Sequence, residues 1–300
     1  MNERYSLHNL HARVKYLSTF LDLDKITEGE KNSAEQIMAY FRINDWAYRH
    51  YHSQDGFMHF RISKNGAFAD DDVYYQPDTV AKYIHDGDRV AELGFGQGAN
   101  IMYLAKSFPK TRFYGFDLSQ MKKKPLPNIR TFQQDYSSLK PLPDNSVDVV
   151  YAFETIVYNS DKLKTFQEVY RVLKPGGVFI VYDYALTVPY DDLDPLVQKA
   201  HALISKGGYC PLIESAPEWE GYFTQCGFQE VSTAYLGKEC LPDLKRLERK
   251  AEKILKHKKL SKAMFRLLPE EFTSNIIIGF LGYDSCNTGL GTYAEWIYKK

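Results

Sequence analysis

Ala91-Glu92-Leu93-Gly94-Phe95-Gly96-Gln97-Gly98 is the stretch on which the reading of this chain turns. It follows Asp88–Leu93, a short apolar run with strand character, and opens Ala99–Ser107, whose spacing predicts a helix. Glycines between a strand and a helix let the backbone turn tightly and approach a ligand closely. Taken alone, Gly94-x-Gly96-x-x-Ala99 also fits a dinucleotide fingerprint, so the glycines leave the ligand open. Glu92, two residues before the first glycine, narrows the choice: a carboxylate there suits a ligand with a positively charged end and sits badly beside a pyrophosphate.

Outward from this loop the chain alternates strand and helix signals. Arg112–Phe116, Ile129–Gln133, Val147–Phe153 and Val178–Tyr182 read as further strands. Leu163–Leu173 has helical spacing and stops at Lys174-Pro175-Gly176-Gly177, a terminator followed by a turn. Such alternation implies a mostly parallel sheet with helices on both faces. Beyond Tyr184 the pattern loosens. Glu218–Cys226 reads as a helix closed by Gly227, Glu230–Tyr235 as a strand, Leu241–Leu268 as one long basic helix, Phe272–Leu281 as a buried helix and Thr292–Ile297 as a closing strand. Residues 1–80 are polar and aromatic, with helical patterning near Val14–Leu23 and Ala34–Phe41. The expected organisation is an N-terminal helical and aromatic cap (1–80), a core (81–240), a helical cap insertion (241–290) and a closing core strand (291–300).

Composition bounds the function. The 38 Lys and Arg balance 38 Asp and Glu across 300 residues, which argues against nucleic acid as the main partner. No apolar run approaches a membrane span, and the N-terminus lacks the apolar core of a signal peptide. Cys210, Cys226, Cys240 and Cys286 fit no metal spacing and are too sparse for a disulfide scaffold, so they are expected to be reduced structural residues of a cytoplasmic protein. No metal site is expected.

Five motifs in order resemble the class I S-adenosylmethionine (SAM)-dependent methyltransferases over roughly residues 86–185. Glu92–Gly98 looks like the family's first motif. Gly115-Phe116-Asp117-Leu118-Ser119 looks like the end of its second strand, Gln134-Asp135-Tyr136 like its adenine corner, Pro143–Asp148 like the approach to its fourth strand, and Arg171–Gly177 like the turn before its fifth. The resemblance implies a Rossmann-like α/β fold: a mostly parallel sheet with an antiparallel last strand, helices on both faces and a helical cap. It also implies SAM as cofactor and S-adenosylhomocysteine as product. By the same resemblance Glu92, Gly94, Gly96, Gly98, Asp117, Leu118, Asp135, Tyr136, Phe153 and His59 hold the cofactor, with Asp117 on the ribose hydroxyls. One departure is physical: Gln120–Asn128 contains Pro125 and Pro127, so the helix usual between the second and third strands is expected to shrink to a turn.

Phe153–Leu163 together with Val181–Tyr184 is similar to the sterol C-methyltransferase group, with Tyr158 where that group often has histidine. Tyr51–Phe60 is similar, more loosely, to the aromatic segment covering the cofactor there and in the cyclopropane-synthase group. Methyl transfer from a sulfonium is an in-line displacement in which positioning does most of the work. Glu154, at the carboxyl end of the fourth strand, is the first candidate for a polar catalytic role, and Tyr158 the second. The expected reaction is methylation of a small, largely apolar, isoprenoid-like acceptor, with carbon favoured. The alternatives are an O- or N-methyltransferase of a polar metabolite or natural product, and a non-catalytic SAM-binding protein. Lys245 to Lys262 carries nine basic residues beside an apolar stripe of Leu244, Leu247, Ala251, Ile254 and Leu255. It reads first as a solvated helix packed on the domain, with peripheral contact with a membrane surface as the alternative and nucleic-acid contact disfavoured by the balanced overall charge. Oligomeric state is not legible.

Overall fold

The computed structural model describes residues 3–29 and 32–300. Seven strands form one sheet: β1 (Arg89–Leu93), β2 (Arg112–Asp117), β3 (Ile129–Gln133), β4 (Val147–Phe153), β5 (Leu173–Leu186), β6 (Gln229–Tyr235) and β7 (Gly291–Lys299). Their order is β3-β2-β1-β4-β5-β7-β6. The pairs from β3 to β5 are parallel, while β7 runs antiparallel to both β5 and β6. The order reverses between β1 and β4, so the carboxyl ends of these two strands form the crevice where open α/β sheets take ligands.

β4 explains why the sheet is covered on both sides. Val149, Tyr151 and Phe153 join one buried cluster, and Val147, Val150 and Ala152 join another on the opposite face. From Val149 onward that is the two-residue period of a strand buried on both faces, and a register irregularity puts Val147 on the same side as Val150. One face is covered by α4 (Tyr75–Ala81), α5 (Ala99–Ser107) and part of α9 (Gly237–Leu255). The other is covered by α6 (Lys162–Val172), α7 (Pro195–Gly207) and α8 (Ala216–Gln225). Trp219 of α8 stacks on Trp296 of β7 with ring centroids 5.0 Å apart.

Of the amino-terminal helices, α1 (Glu3–Ser18) and α3 (Ala34–Ala47) pack with α11 (Glu270–Asn287), and α2 (Leu23–Thr27) packs on α7. Leu10, Val14 and Leu17 of α1 are fully buried there. A charged cluster pins them: Arg13 bonds Glu248 (2.5 Å), Asp284 (2.5 Å), Glu252 (2.9 Å) and the Phe280 carbonyl (2.8 Å). α3 begins at a reciprocal cap, the Ser33 hydroxyl accepting from Gln36 N–H (3.3 Å) and the Gln36 side chain from Ser33 N–H (3.1 Å).

Three local findings refine the sequence reading. The connection from β2 to β3 contains no helix, as Pro125 and Pro127 imply. Lys174–Gly177 is a bulge within β5 instead of a free turn: Leu173 pairs with Val147 and Val178 with Val149, and the excursion is held by Gly176 N–H to Lys300 O (2.8 Å). The single helix expected over Leu241–Leu268 is two, α9 and α10 (Lys258–Leu267), broken at Lys256–His257. The Ser261 hydroxyl donates back to Ile254 O (3.0 Å) across the break. The fold-back seats the expected apolar stripe in the core. Leu244, Ala251 and Leu255 are buried, and Gly279 and Gly282 of α11 let α9 approach to ordinary contact. That stripe is therefore largely taken up by α11.

Candidate active site

A cavity of about 940 Å³ opens at the carboxyl ends of β1, β2 and β4. Its floor is the glycine loop, its far wall the ends of β2 and β4, and its roof α3. Gly94 has φ +71 and would drive a Cβ to 2.0 Å from Thr155 Oγ1, so glycine is required there by the packing of the β4 end. At Gly96 (φ +51) an added Cβ would meet only Met58 Sδ, at 3.1 Å, so this backbone faces the cavity.

Asp117, at the end of β2, is tied to that loop. Its Oδ2 accepts from Gly96 N–H (2.8 Å), and its Oδ1 accepts from Ser119 N–H (2.8 Å) and the Ser119 hydroxyl (2.6 Å). Burial raises its pKa, opposed by those hydrogen bonds. Leu118, Asp135 and Tyr136 line the same end, and Tyr136 donates to Thr155 O (2.6 Å). His59 stands across from them, buried against Phe153 (5.4 Å between ring centroids), with Nε2 3.0 Å from Asn100 Oδ1.

Glu154 occupies the junction between this end and the rest of the cavity. It follows the last residue of β4 with φ +50, a left-handed conformation that a side-chain-bearing residue rarely adopts. Two hydrogen bonds hold the turn: Glu154 N–H to Tyr182 O (2.7 Å), and Phe60 N–H to Glu154 Oε1 (2.6 Å). Burial pushes its pKa up to about 8, resisted by the Phe60 amide and Tyr293 and assisted by nearby Asp183 and Asp243. Beyond Glu154 the wall is aromatic. Tyr158 meets Phe41 edge to face (5.4 Å), and Phe41 packs on Tyr48 (6.0 Å). Ile37 and Met38 of α3 extend this wall, and Glu35, Arg42, Asp45 and Lys122 make a charged rim.

Gly94, Gly96, Asp117, Leu118, Asp135, Tyr136, Phe153, His59, Glu154 and Tyr158 are thus brought to one cavity. Glu92 and Gly98 stand behind its wall. Gly98 (φ +81) begins α5, with Met121 against it. Glu92 is buried beside Tyr151 and Asn100, its pKa pushed up to about 8 by burial and held back by hydrogen bonds from these neighbours, and among the described residues its Oε2 has no well-aligned hydrogen-bond partner. An orphan carboxylate oxygen under the glycine loop is a costly feature that a cationic ligand group would relieve.

Several residues escaped the sequence reading. Asp183, buried on β5, accepts from Val157 N–H (2.9 Å) and Tyr184 N–H (2.9 Å) and titrates at about 7 because of its burial. Its place at the carboxyl end of a strand was the available signal. Phe41 and Asp45 come from α3, which local spacing marks only as a helix, and Tyr48 from the turn that follows it. Asp45 clasps that roof: it accepts from Gln97 of the glycine loop (3.1 Å) and pairs with Lys122 of the β2–β3 connection (2.9 Å). The connection that lost its helix is therefore covered by α3. Among the described residues no group of three or more His, Cys, Asp or Glu side chains stands where it could hold a metal ion.

Residues 91–181 match the family described as "Methyltransferase domain". Among curated relatives, the sterol 24-C-methyltransferase of Pneumocystis carinii (strain B80) is 27% identical over 173 residues, which is 53% of this chain and 44% of that protein. The chain thus matches about half the length of such relatives. Among solved structures, the [4+2]-cyclase SpnF superposes with a TM-score of 0.70 at 17% identity, covering 91% of this chain and 97% of that one. The cyclopropane synthase MmaA2 from Mycobacterium tuberculosis gives 0.69 at 13% identity, covering 89% and 98%. These superpositions establish a shared fold, and a cyclase among them illustrates that fold does not dictate chemistry.

The cavity fits a SAM-sized ligand. A glycine backbone faces it, an acid at the second strand end reaches it, and an unpaired carboxylate oxygen lies under its floor. Residues 91–181 carry the methyltransferase domain, and the sheet order and the order of the motifs are those of a class I SAM-dependent methyltransferase.

Proposed function

We propose that this chain transfers a methyl group from SAM to a small, largely apolar acceptor, with carbon the favoured acceptor atom. The observation that carries the reading is the juxtaposition of Glu154, buried and with a carboxyl at the strand end, and the aromatic wall of Phe41, Tyr48, Phe153 and Tyr158 in one cavity. The relationship to a sterol C-methyltransferase supports the same direction.

When bound, SAM supplies an electrophilic methyl group on a sulfonium. The chain's own residues do the rest. Gly94, Gly96, Asp117, Leu118, Asp135, Tyr136 and His59 orient the donor, Asp117 through the ribose hydroxyls. α3 excludes water from above, which strengthens every electrostatic interaction below it. The aromatic faces stabilise positive charge that develops on a carbon acceptor. Glu154, in its ionised form, faces that charge and takes the proton that the new methyl group displaces. Tyr158 lines the acceptor side, its hydroxyl kept protonated by burial. In this reading residues 1–80 and 241–290 act as the cap of the core.

The charged rim of Glu35, Arg42, Asp45 and Lys122 favours a second reading, O- or N-methylation of a polar metabolite held near the mouth. The two separate in one experiment. The protein is incubated with SAM and a panel of isoprenoid, sterol, phenol and amine acceptors, and S-adenosylhomocysteine and methylated product are followed by mass spectrometry. Turnover with apolar alkenes supports the first reading. Efficient methylation confined to hydrophilic amines or acids overturns it, and absence of S-adenosylhomocysteine with every acceptor would point to a non-catalytic SAM-binding protein.

A further inference from the structure

α10 is held to the molecule by very little. Ser261 is buried and Met264 and Phe265 are half-buried, while the helix's remaining residues are exposed. Among these are two large apolar side chains, Leu260 at 56% and Leu267 at 78% exposure, followed by Leu268 at 41%. Leaving three leucines in water is unfavourable without a partner for them.

Their arrangement is specific. At about 100° per residue, Leu260, Ala263 and Leu267 share one arc of the helix. Lys258, Lys259, Lys262 and Arg266 occupy the adjacent arc. Between Glu252 and Glu270 the chain has six Lys or Arg and no acidic residue. At the amino end of α10, Lys256, His257, Lys258, Lys259 and Leu260 surround a shallow depression against Tyr16, with Lys258 Nζ 4.7 Å from that ring's centroid. A cationic arc beside an exposed leucine arc is the pattern of a helix lying in a bilayer interface: leucines enter the acyl boundary and cations meet phosphates. Nucleic acid would use the cations and leave the leucines in water.

The same surface is joined to the cavity. Leu268 and Pro269 lead into α11, whose first turn is bonded to α3 by Asn44 Nδ2 to Glu271 O (2.8 Å), with Tyr40 to Asn275 (2.7 Å) one turn on. α3 is the cavity roof, and it carries Trp46 at 61% exposure and Ile43 at 36%.

We propose that α10 docks this protein on an anionic bilayer surface, and, on the reading that its acceptor is apolar, that this is where the acceptor is collected. The full chain is sedimented with vesicles of phosphatidylcholine alone and with about one third phosphatidylglycerol. Binding to the anionic vesicles that weakens with salt is expected. Lys259→Gln with Lys262→Gln should weaken it roughly fivefold per residue. Leu260→Ser with Leu267→Ser should weaken it about tenfold at unchanged charge. All four side chains are exposed, so unfolding curves should match the wild type. Binding that ignores the leucine changes, or no sedimentation at low salt, overturns the proposal. So does tight binding of an RNA or DNA oligonucleotide that the lysine changes abolish while vesicle binding stays put. Vesicle binding needs no turnover. Methylation of an acceptor dispersed in detergent therefore tests the functional reading separately, and the leucine variants should retain it.

Discussion

Glu154→Gln separates the electrostatics of the site from its packing. Glutamine has nearly the same shape, and its carbonyl can still accept from Phe60 N–H, so the left-handed turn after β4 is kept. What is lost is a carboxyl whose pKa stands at about 8 in the fold against an ordinary value of 4.5. Between those limits the folded protein holds a proton that the unfolded chain has already released. Stability therefore falls as pH rises through the window and levels off above about 8. At about 1.4 kcal/mol per pH unit, falling as the group ionises near pH 8, this one group costs the wild type roughly 2 kcal/mol between pH 6 and pH 8. Glu92 and Asp183 titrate in both proteins and largely cancel in the comparison. Urea unfolding at pH 6, 7, 8 and 9 should show Glu154→Gln gaining on the wild type by that amount as pH rises. In methyl transfer, the wild-type kcat/KM should climb to a plateau with a midpoint near 8, and the variant should be flat and about 10²- to 10⁴-fold slower on the plateau. With the positively charged donor bound, Glu154 should ionise more readily, placing the midpoint of kcat lower than that of kcat/KM. A stability difference that does not change with pH would refute the buried-acid argument. A variant as fast as the wild type at pH 8.5 would refute the catalytic one.

Asp117→Ala should weaken SAM binding about 10- to 150-fold, read by calorimetry alongside circular dichroism; an unchanged dissociation constant in a folded protein would remove Asp117 from the cofactor site. Asp45→Ala releases the clasp from α3 to Gln97 and Lys122 and should raise the SAM dissociation rate up to about tenfold, as expected for loss of partly exposed polar contacts, with little change in unfolding midpoint. Arg13→Met strands Glu248 and Asp284, which are buried, and should cost about 3–5 kcal/mol in denaturant unfolding; a loss under 1 kcal/mol would mean that Lys245 alone satisfies Glu248.

Much of the architecture was legible because it is written in short-range signals. The glycine loop follows its strand within a few residues. The runs at 112–116, 129–133 and 147–153 carry strand composition, and two prolines remove the helix between β2 and β3. Strand alternation with helices then leaves few ways to build the sheet. Glu154 was legible as a residue at a strand end that local sequence identifies, while Gly94, Gly96, Asp117 and Asp135 were named by the order of the motifs, each again at a strand end.

Tertiary structure decided what depends on contacts between distant segments. The helical periodicity of α3 marks an amphipathic helix and says nothing about its landing over residues 94–97, which places Phe41 and Asp45, with Tyr48 of the following turn, in the site. Glu92 carries the same charge in any strand. Only the packing of Tyr151 and Asn100 around it makes it a buried acid behind the cavity wall instead of on it. The basic segment reads as one amphipathic helix because its leucines and lysines keep helical spacing across Lys256–His257. α11 takes up the stripe of α9, and among the described residues no element takes up that of α10, so chemically similar residues become core in one helix and exposed surface in the next. Local propensity acts over a turn or two of chain, whereas burial is set by whatever the rest of the molecule brings alongside.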